Sequence, residues 1–245
     1  MIDWLLAPID PARGHAIAGH VVWHARLMVL AWSVLFPVGV LAARFYKITP
    51  RQRWPEQLDN AAWWRVHLYL QSVAGALVLV AVALVWPGFG LAPQRFPHAL
   101  LGWAAIACCA AQFLGGWLRG TKGGPTAPRP DGSWAGDHYD MTARRRIFER
   151  LHKSLGYVAL LTALAAMTAG LWQANAPRWM WLVIGTWWVG LGGFAVHLQR
   201  QGRVVDTYQA IWGPDPNHPG NGRRPIGWGV RRPSDGKPPP ETESR

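Results

Sequence analysis

Five apolar stretches, each long enough to cross a bilayer, alternate with polar segments along the 245-residue chain. The first runs from about Ile17 or Val21 to Phe45 and contains Pro37, read as a kink whose freed carbonyl a neighbouring helix re-satisfies. A polar loop, KITPRQRWPEQLDN, ends on Asp59 and Asn60, which suit a helix N-cap, before a second stretch from about Ala61 to Trp86. After the turn WPGFGLAPQRFP, Pro97 fits the first helical position of a third stretch that reaches about Leu118, where RGTKGG breaks it. A polar loop with Gly123, Gly124, Pro125, Pro128 and Pro130 leads into TARRRIFERLHKSLGY, which opens a fourth helix ending at Leu171. The link QANAPR then introduces a fifth block, Trp179 to Val196, which spans roughly 27 Å at the rise of a helix.

This pattern predicts an all-α membrane protein: an up-down four-helix transmembrane bundle plus a fifth transmembrane helix. The spans fall at about 21–45, 61–86, 97–118, 147–171 and 179–197, in one domain of residues 1–198. Residues 1 to 15 lack the basic start and small-residue cleavage site of a signal peptide and read as a short mature segment. Residues 199–245 are too rich in Pro, Gly and charge for a core and are expected to form a mobile, disordered cytoplasmic tail.

Composition agrees with a lipid environment. Half the residues are hydrophobic, 16% are charged and 17 are Trp, while a mean hydropathy of +0.03 averages apolar blocks with polar loops. The net charge of +12 is gathered where apolar blocks end, which is a topology signal and not a nucleic-acid surface. Arg44, Lys47, Arg51 and Arg53 follow the first span, and Arg119, Lys122, Arg129, Arg144, Arg145 and Arg146 follow the third. The opposite loops offer little beyond Arg95 and Arg178. The N-terminus is therefore expected outside and the tail in the cytoplasm. Trp63, Trp64, Trp86, Trp117 and Trp172 at block ends read as interfacial anchors. Cys108 and Cys109, adjacent inside an apolar block, read as packing residues and imply no disulfide framework.

Four histidines change the picture from a membrane scaffold to a cofactor protein. His24, His67, His98 and His152 each lie near the start of one of four successive spans, and alternation sorts them by side. In an up-down bundle the first and third helices are diagonal and co-directional, as are the second and fourth. His24 and His98 then meet at one depth and His67 and His152 at the other, each pair able to clamp one flat porphyrin through imidazole nitrogens. Two haems, one clamped by each histidine pair, with iron as the metal, are the expected cofactors.

Gln112, fourteen residues after His98, returns to nearly the same helix face roughly 21 Å further on and should approach the inner haem. Arg65, Arg150 and Lys153 lie within three residues of His67 or His152 and are candidates for the haem propionates, as are Arg44 and Lys47, although topology alone also predicts cations there. Gly102 and Gly156, one turn beyond His98 and His152, offer room for a ring or for a neighbouring helix. His20 competes with His24 from the same face but is shallower. His15, His138, His197 and His218 read as surface residues.

The quoted segments HARLMVLAWSVLFPVGVLAARF, WWRVHLYLQ, PHALLGW with Gln112 and Gly116, and RLHKSLGY resemble the membrane domain of the cytochrome b561 family, in the form attached to DOMON modules and in bacterial single-domain relatives. The likeness covers about residues 20 to 172. It implies two b-type haems with bis-histidine ligation, first with third and second with fourth helix, and single electrons moved across the membrane, which agrees with the pairing reached from topology. Donors in the family include ascorbate and acceptors include ferric chelates, but no counterpart of the ascorbate-binding segment of the animal and plant forms is evident. Five spans stand where the family has six, and no DOMON-like β-domain is seen.

The function expected is thus a di-haem cytochrome passing electrons between a donor on one side and an acceptor on the other, in a bacterial inner membrane. Its partners would be membrane lipid, an unidentified electron donor and acceptor, and a separate periplasmic or membrane redox protein, with no nucleic acid. Two alternatives stand beside it: a haem-bearing anchor subunit for a dehydrogenase, and a haem-free scaffold or transporter whose histidines bond between helices.

Overall fold

In a computed structural model the chain is all-helical, and residues 1–14, 17–86, 96–120, 128–133 and 142–232 are described. The turn expected at 87–95 with Arg95, the loop residues Lys122, Gly123, Gly124 and Pro125, and His15, His138 and positions 233–245 lie outside the described residues. A short α1 (Ile2–Leu6) precedes five helices of membrane-spanning length: α2 (Gly19–Phe45), α3 (Ala62–Val85), α4 (Phe96–Leu118), α5 (Ala143–Gln173) and α6 (Arg178–Arg200). A short α7 (Thr207–Trp212) and a 3-10 turn (Pro219–Gly222) follow. All five expected spans are present, and α5 begins a turn earlier than its apolar part.

The chain divides into two compact units, the first comprising 1–39, 68–111 and 156–194 and the second 40–67, 112–155 and 195–245. In the first unit the helices bury small residues against one another. Ala74, Val78 and Ala81 of α3, Ala159, Ala163 and Ala166 of α5, and Ala105 and Cys109 of α4 recur at intervals of three and four, so the backbones approach closely. Large residues such as Leu79, Leu161 and Val189 point outward, as lipid-facing positions should.

Pro37 acts on α2 more widely than as a simple kink. Residues Leu30–Leu35 form a π-helical stretch just ahead of it. Proline has no N–H for the carbonyl of Ser33, and Trp187 Nε1 of α6 donates to that oxygen at 2.6 Å. Trp188 Nε1 reaches Ser33 Oγ at 3.2 Å, and that hydroxyl donates to Met167 Sδ at 3.3 Å. The N-terminal segment is tied to the α5–α6 turn. Asn175, almost fully buried and at φ 47°, accepts from the Asp10 amide and donates to the Asp10 and Arg13 carbonyls.

In the second unit the described residues after α6, up to 232, contribute to a packed core, where a mobile tail was expected from residue 199. Val204, Val205, Tyr208, Trp212 and Ile226 are buried, packing with Phe45, Ile48, Trp54 and Leu198 in three clusters. Asp206, fully buried, caps α7 by accepting from the Tyr208 amide and pairs with Arg232 at 2.7 Å. His218, read as a surface residue, is also fully buried. It stacks on Trp212 with ring centres 4.3 Å apart, and its Nδ1 accepts from the Gly220 amide. The physical reason is that Pro and Gly punctuate this stretch while its apolar residues, too irregular for a long helix, still find a surface to cover.

Candidate haem-binding sites

In the first unit, His24 on α2 and His98 on α4 face each other with ring centres 6.2 Å apart and planes at 87°. The two remaining helices of the bundle hold them. His24 Nδ1 lies 2.8 Å from the Ala81 carbonyl of α3, and His98 Nδ1 lies 2.8 Å from the Ala166 carbonyl of α5. A carbonyl only accepts, so both Nδ1 atoms carry the proton and both Nε2 atoms keep a lone pair for a metal. Gly170 makes the close approach possible, because a Cβ there would come within 3.0 Å of the His98 ring. A Cβ at Gly102, one turn past His98, would meet nothing within 4 Å.

In the second unit, His67 of α3 and His152 of α5 lie with ring centres 6.1 Å apart and planes at 80°. Phe148, one turn before His152, packs over its ring at 5.0 Å. Gln112 of α4 donates from Nε2 to the His152 carbonyl at 2.7 Å, so it stands beside this pair, as its spacing from His98 predicts. His152 Nδ1 and Gln112 Oε1 are buried without a partner among the described residues. A Cβ at Gly116, one turn beyond Gln112, would meet nothing within 4 Å.

Both pairs fit a haem. Two imidazoles on opposite sides of one metal, each nitrogen about 2 Å from it, have ring centres about 6 Å apart, and the separations of 6.2 and 6.1 Å match. Among the described residues no cluster of three or more His, Cys, Asp and Glu forms, so the two-imidazole pattern is not part of a larger metal cage.

The cationic candidates are placed differently. Lys153 bonds the Glu149 carboxylate and the Ile226 carbonyl, each at 2.5 Å. Arg44 donates to Gln199 and to the Trp228 carbonyl, and Lys47 donates to the Arg44 and Val205 carbonyls, so both fasten the C-terminal segment. Arg65 is exposed, and Arg150 lines a cavity with three other arginines. Sequence reasoning missed the alanine carbonyls, Gly170, Phe148 and Arg145, which donates to the Tyr208 hydroxyl and lies over Phe148. Phe148 alone left a usable signal, the i−4 spacing from His152.

Five membrane-length helices with two facing imidazole pairs define an integral membrane protein of the helical-bundle class. Residues 23–121 match the family described as eukaryotic cytochrome b561. The chain is 30% identical over 196 residues to ferric-chelate reductase 1 of Bos taurus, covering 75% of this chain and 29% of the relative. It is 28% identical over 198 residues to ferric-chelate reductase 1 of Mus musculus, covering 75% and 30%. It is also 29% identical over 148 residues to a cytochrome b561, DM13 and DOMON domain-containing protein of Arabidopsis thaliana, covering 60% and 14%. No solved structure matches the chain. The matched segment, residues 23–121, falls in the cytochrome b561 family, and the aligned part of the chain spans less than a third of the length of each of these relatives.

Proposed function

We propose that the protein is a di-haem b-type cytochrome that carries single electrons across a membrane, with His24 and His98 holding one haem and His67 and His152 the other. The observation that carries this reading is the facing of two imidazole pairs at the same 6 Å separation, one pair in each unit. Haem supplies reversible one-electron chemistry when bound. Two imidazoles at each site would hold the group, so donor and acceptor would exchange electrons without bonding to the metal. The Ala81 and Ala166 carbonyls fix the tautomer and direction of the outer imidazoles. Arg65, Arg150 and Lys153 remain candidates for charge compensation at the inner site, with Gln112 supporting the His152 backbone.

The basic residues at the ends of the first and third spans support an orientation with the N-terminus outside and residues 199–245 in the cytoplasm, in a bacterial inner membrane if the likeness to the single-domain form holds. The relatives named ferric-chelate reductase make a ferric chelate the acceptor to assay first, with a separate redox protein as the other partner. The test is haem quantification and a reduced-minus-oxidised spectrum of the purified chain, with two haems per chain as the expected result. His24→Ala and His98→Ala should remove one spectral component and His67→Ala and His152→Ala the other. A chain with no reducible Soret band, or losses grouped by sequence neighbours, would overturn the proposal.

A further inference from the structure

Four arginines line one cavity of the second unit. Arg146 and Arg150 lie one turn apart near the start of α5, and Arg223 and Arg224 follow the 3-10 turn. With Ile226 they line a space of about 240 Å³. No carboxylate lines it, and Glu149, on the same stretch of α5, is engaged by Lys153.

The scaffold that brings these charges together uses other groups. Lys153 Nζ bonds the Ile226 carbonyl, joining α5 to a residue 73 positions later. Arg232 donates to the Asn221 carbonyl at 2.6 Å and to the Arg223 carbonyl, and the Ile226 side chain is buried with Tyr208 and Trp212. Two arginine pairs distant in sequence thus line one space. Like charges gathered in this way repel, and an anion entering between them relieves that repulsion.

We propose that this cavity binds a phosphate-bearing ligand, with Arg146 and Arg150 on one side of the phosphoryl oxygens and Arg223 and Arg224 on the other. The guanidinium fork matches phosphate oxygens in bidentate fashion, and four forks suit a multiply charged group better than a single carboxylate. One water takes about 30 Å³, so the cavity admits one or two phosphoryl groups. An anionic lipid headgroup and a soluble phosphorylated compound present the same chemistry here.

The test uses the full chain. In nanodiscs of phosphatidylcholine it is titrated with inorganic pyrophosphate by calorimetry, and in nanodiscs containing phosphatidylglycerol its retained lipid is read by native mass spectrometry. Four forms are compared: the natural sequence, R146Q/R150Q, R223Q/R224Q, and R51Q/R53Q, which removes two exposed arginines of the loop after α2. Expected is binding of one ligand or both by the natural chain, weakened about tenfold or more in each cavity variant, as loss of charge-assisted contacts requires, and preserved in R51Q/R53Q. Pyrophosphate binding assigns a soluble ligand, and lipid retention without it assigns a headgroup. R223Q/R224Q alters exposed side chains outside the spans, so it remains informative if the α5 variant folds poorly. Binding of neither ligand, cavity variants that bind like the natural chain, or equal loss in R51Q/R53Q would overturn the proposal.

Discussion

An imidazole aimed at a metal through Nε2 must be held through Nδ1, and at His24 and His98 the holder is a backbone carbonyl. Such holders are invisible in a sequence, because every residue carries a carbonyl. The four histidines were legible there, since an imidazole inside an apolar span is costly and four of them at matching positions are hard to explain otherwise. Gly170 shows what the alphabet hides: it reads as one small residue among many on α5, yet its missing side chain is what lets the His98 ring lie against the helix. Gly170→Ala should push that ring away from the Ala166 carbonyl, costing about 1–3 kcal/mol as overpacking does. Haem content should drop from two towards one per chain, with the spectral component of the His67 and His152 pair retained. A haemochrome assay showing two haems in the variant would sink this account.

At the scale of the helix, α2 illustrates how an irregularity is completed by its neighbour. Pro37 and its freed carbonyl were legible as a kink. The widening over Leu30–Leu35 and the choice of Trp187 as donor were not, because both depend on α6 lying alongside. Trp187→Phe should destabilise the protein by about 0.6–1.7 kcal/mol, the range of interhelical hydrogen bonds in membranes. In a Pro37→Ala background the cost should shrink, since residue 37 then supplies its own amide to the Ser33 carbonyl. Thermal melts of the two single variants and the double variant in one detergent measure the coupling; strict additivity would show that the indole bond and the proline are unrelated. The spans themselves were read to within a few residues, because twenty apolar positions leave little choice of structure in lipid.

Across the whole molecule, the largest departure from the sequence pattern is the ordered segment after α6. Val204, Tyr208 and Trp212 recur every four positions, but over too short a stretch to read as a buried element; Val204 and Val205 pack with Phe45, Ile48 and Trp54, and Tyr208, Trp212 and Ile226 form a cluster of their own. Lys47 is the bolt of that contact, buried and donating to Val205. Burial lowers its pKa from 10.5 to about 7, helped by the Lys153 and Arg44 charges and opposed by Glu149 and Asp206. Between those two values the unfolded chain holds a proton that the folded chain has released, so stability should rise from about pH 7 towards pH 10.5 and stay flat just below pH 7 from this group. Lys47→Met should flatten that rise in melts taken at pH 7, 8 and 9, and an unchanged slope would remove Lys47 from the explanation. One interval recurs through the membrane part: fourteen positions separate His67 from Ala81, His98 from Gln112 and His152 from Ala166. Each of these helices therefore carries a paired imidazole and, nearly four turns on, a group that steadies a histidine of the other pair. Adding or deleting a single residue within the interval would rotate one end by about 100° relative to the other. The length of the helix between the two marks is therefore fixed as firmly as the marks themselves.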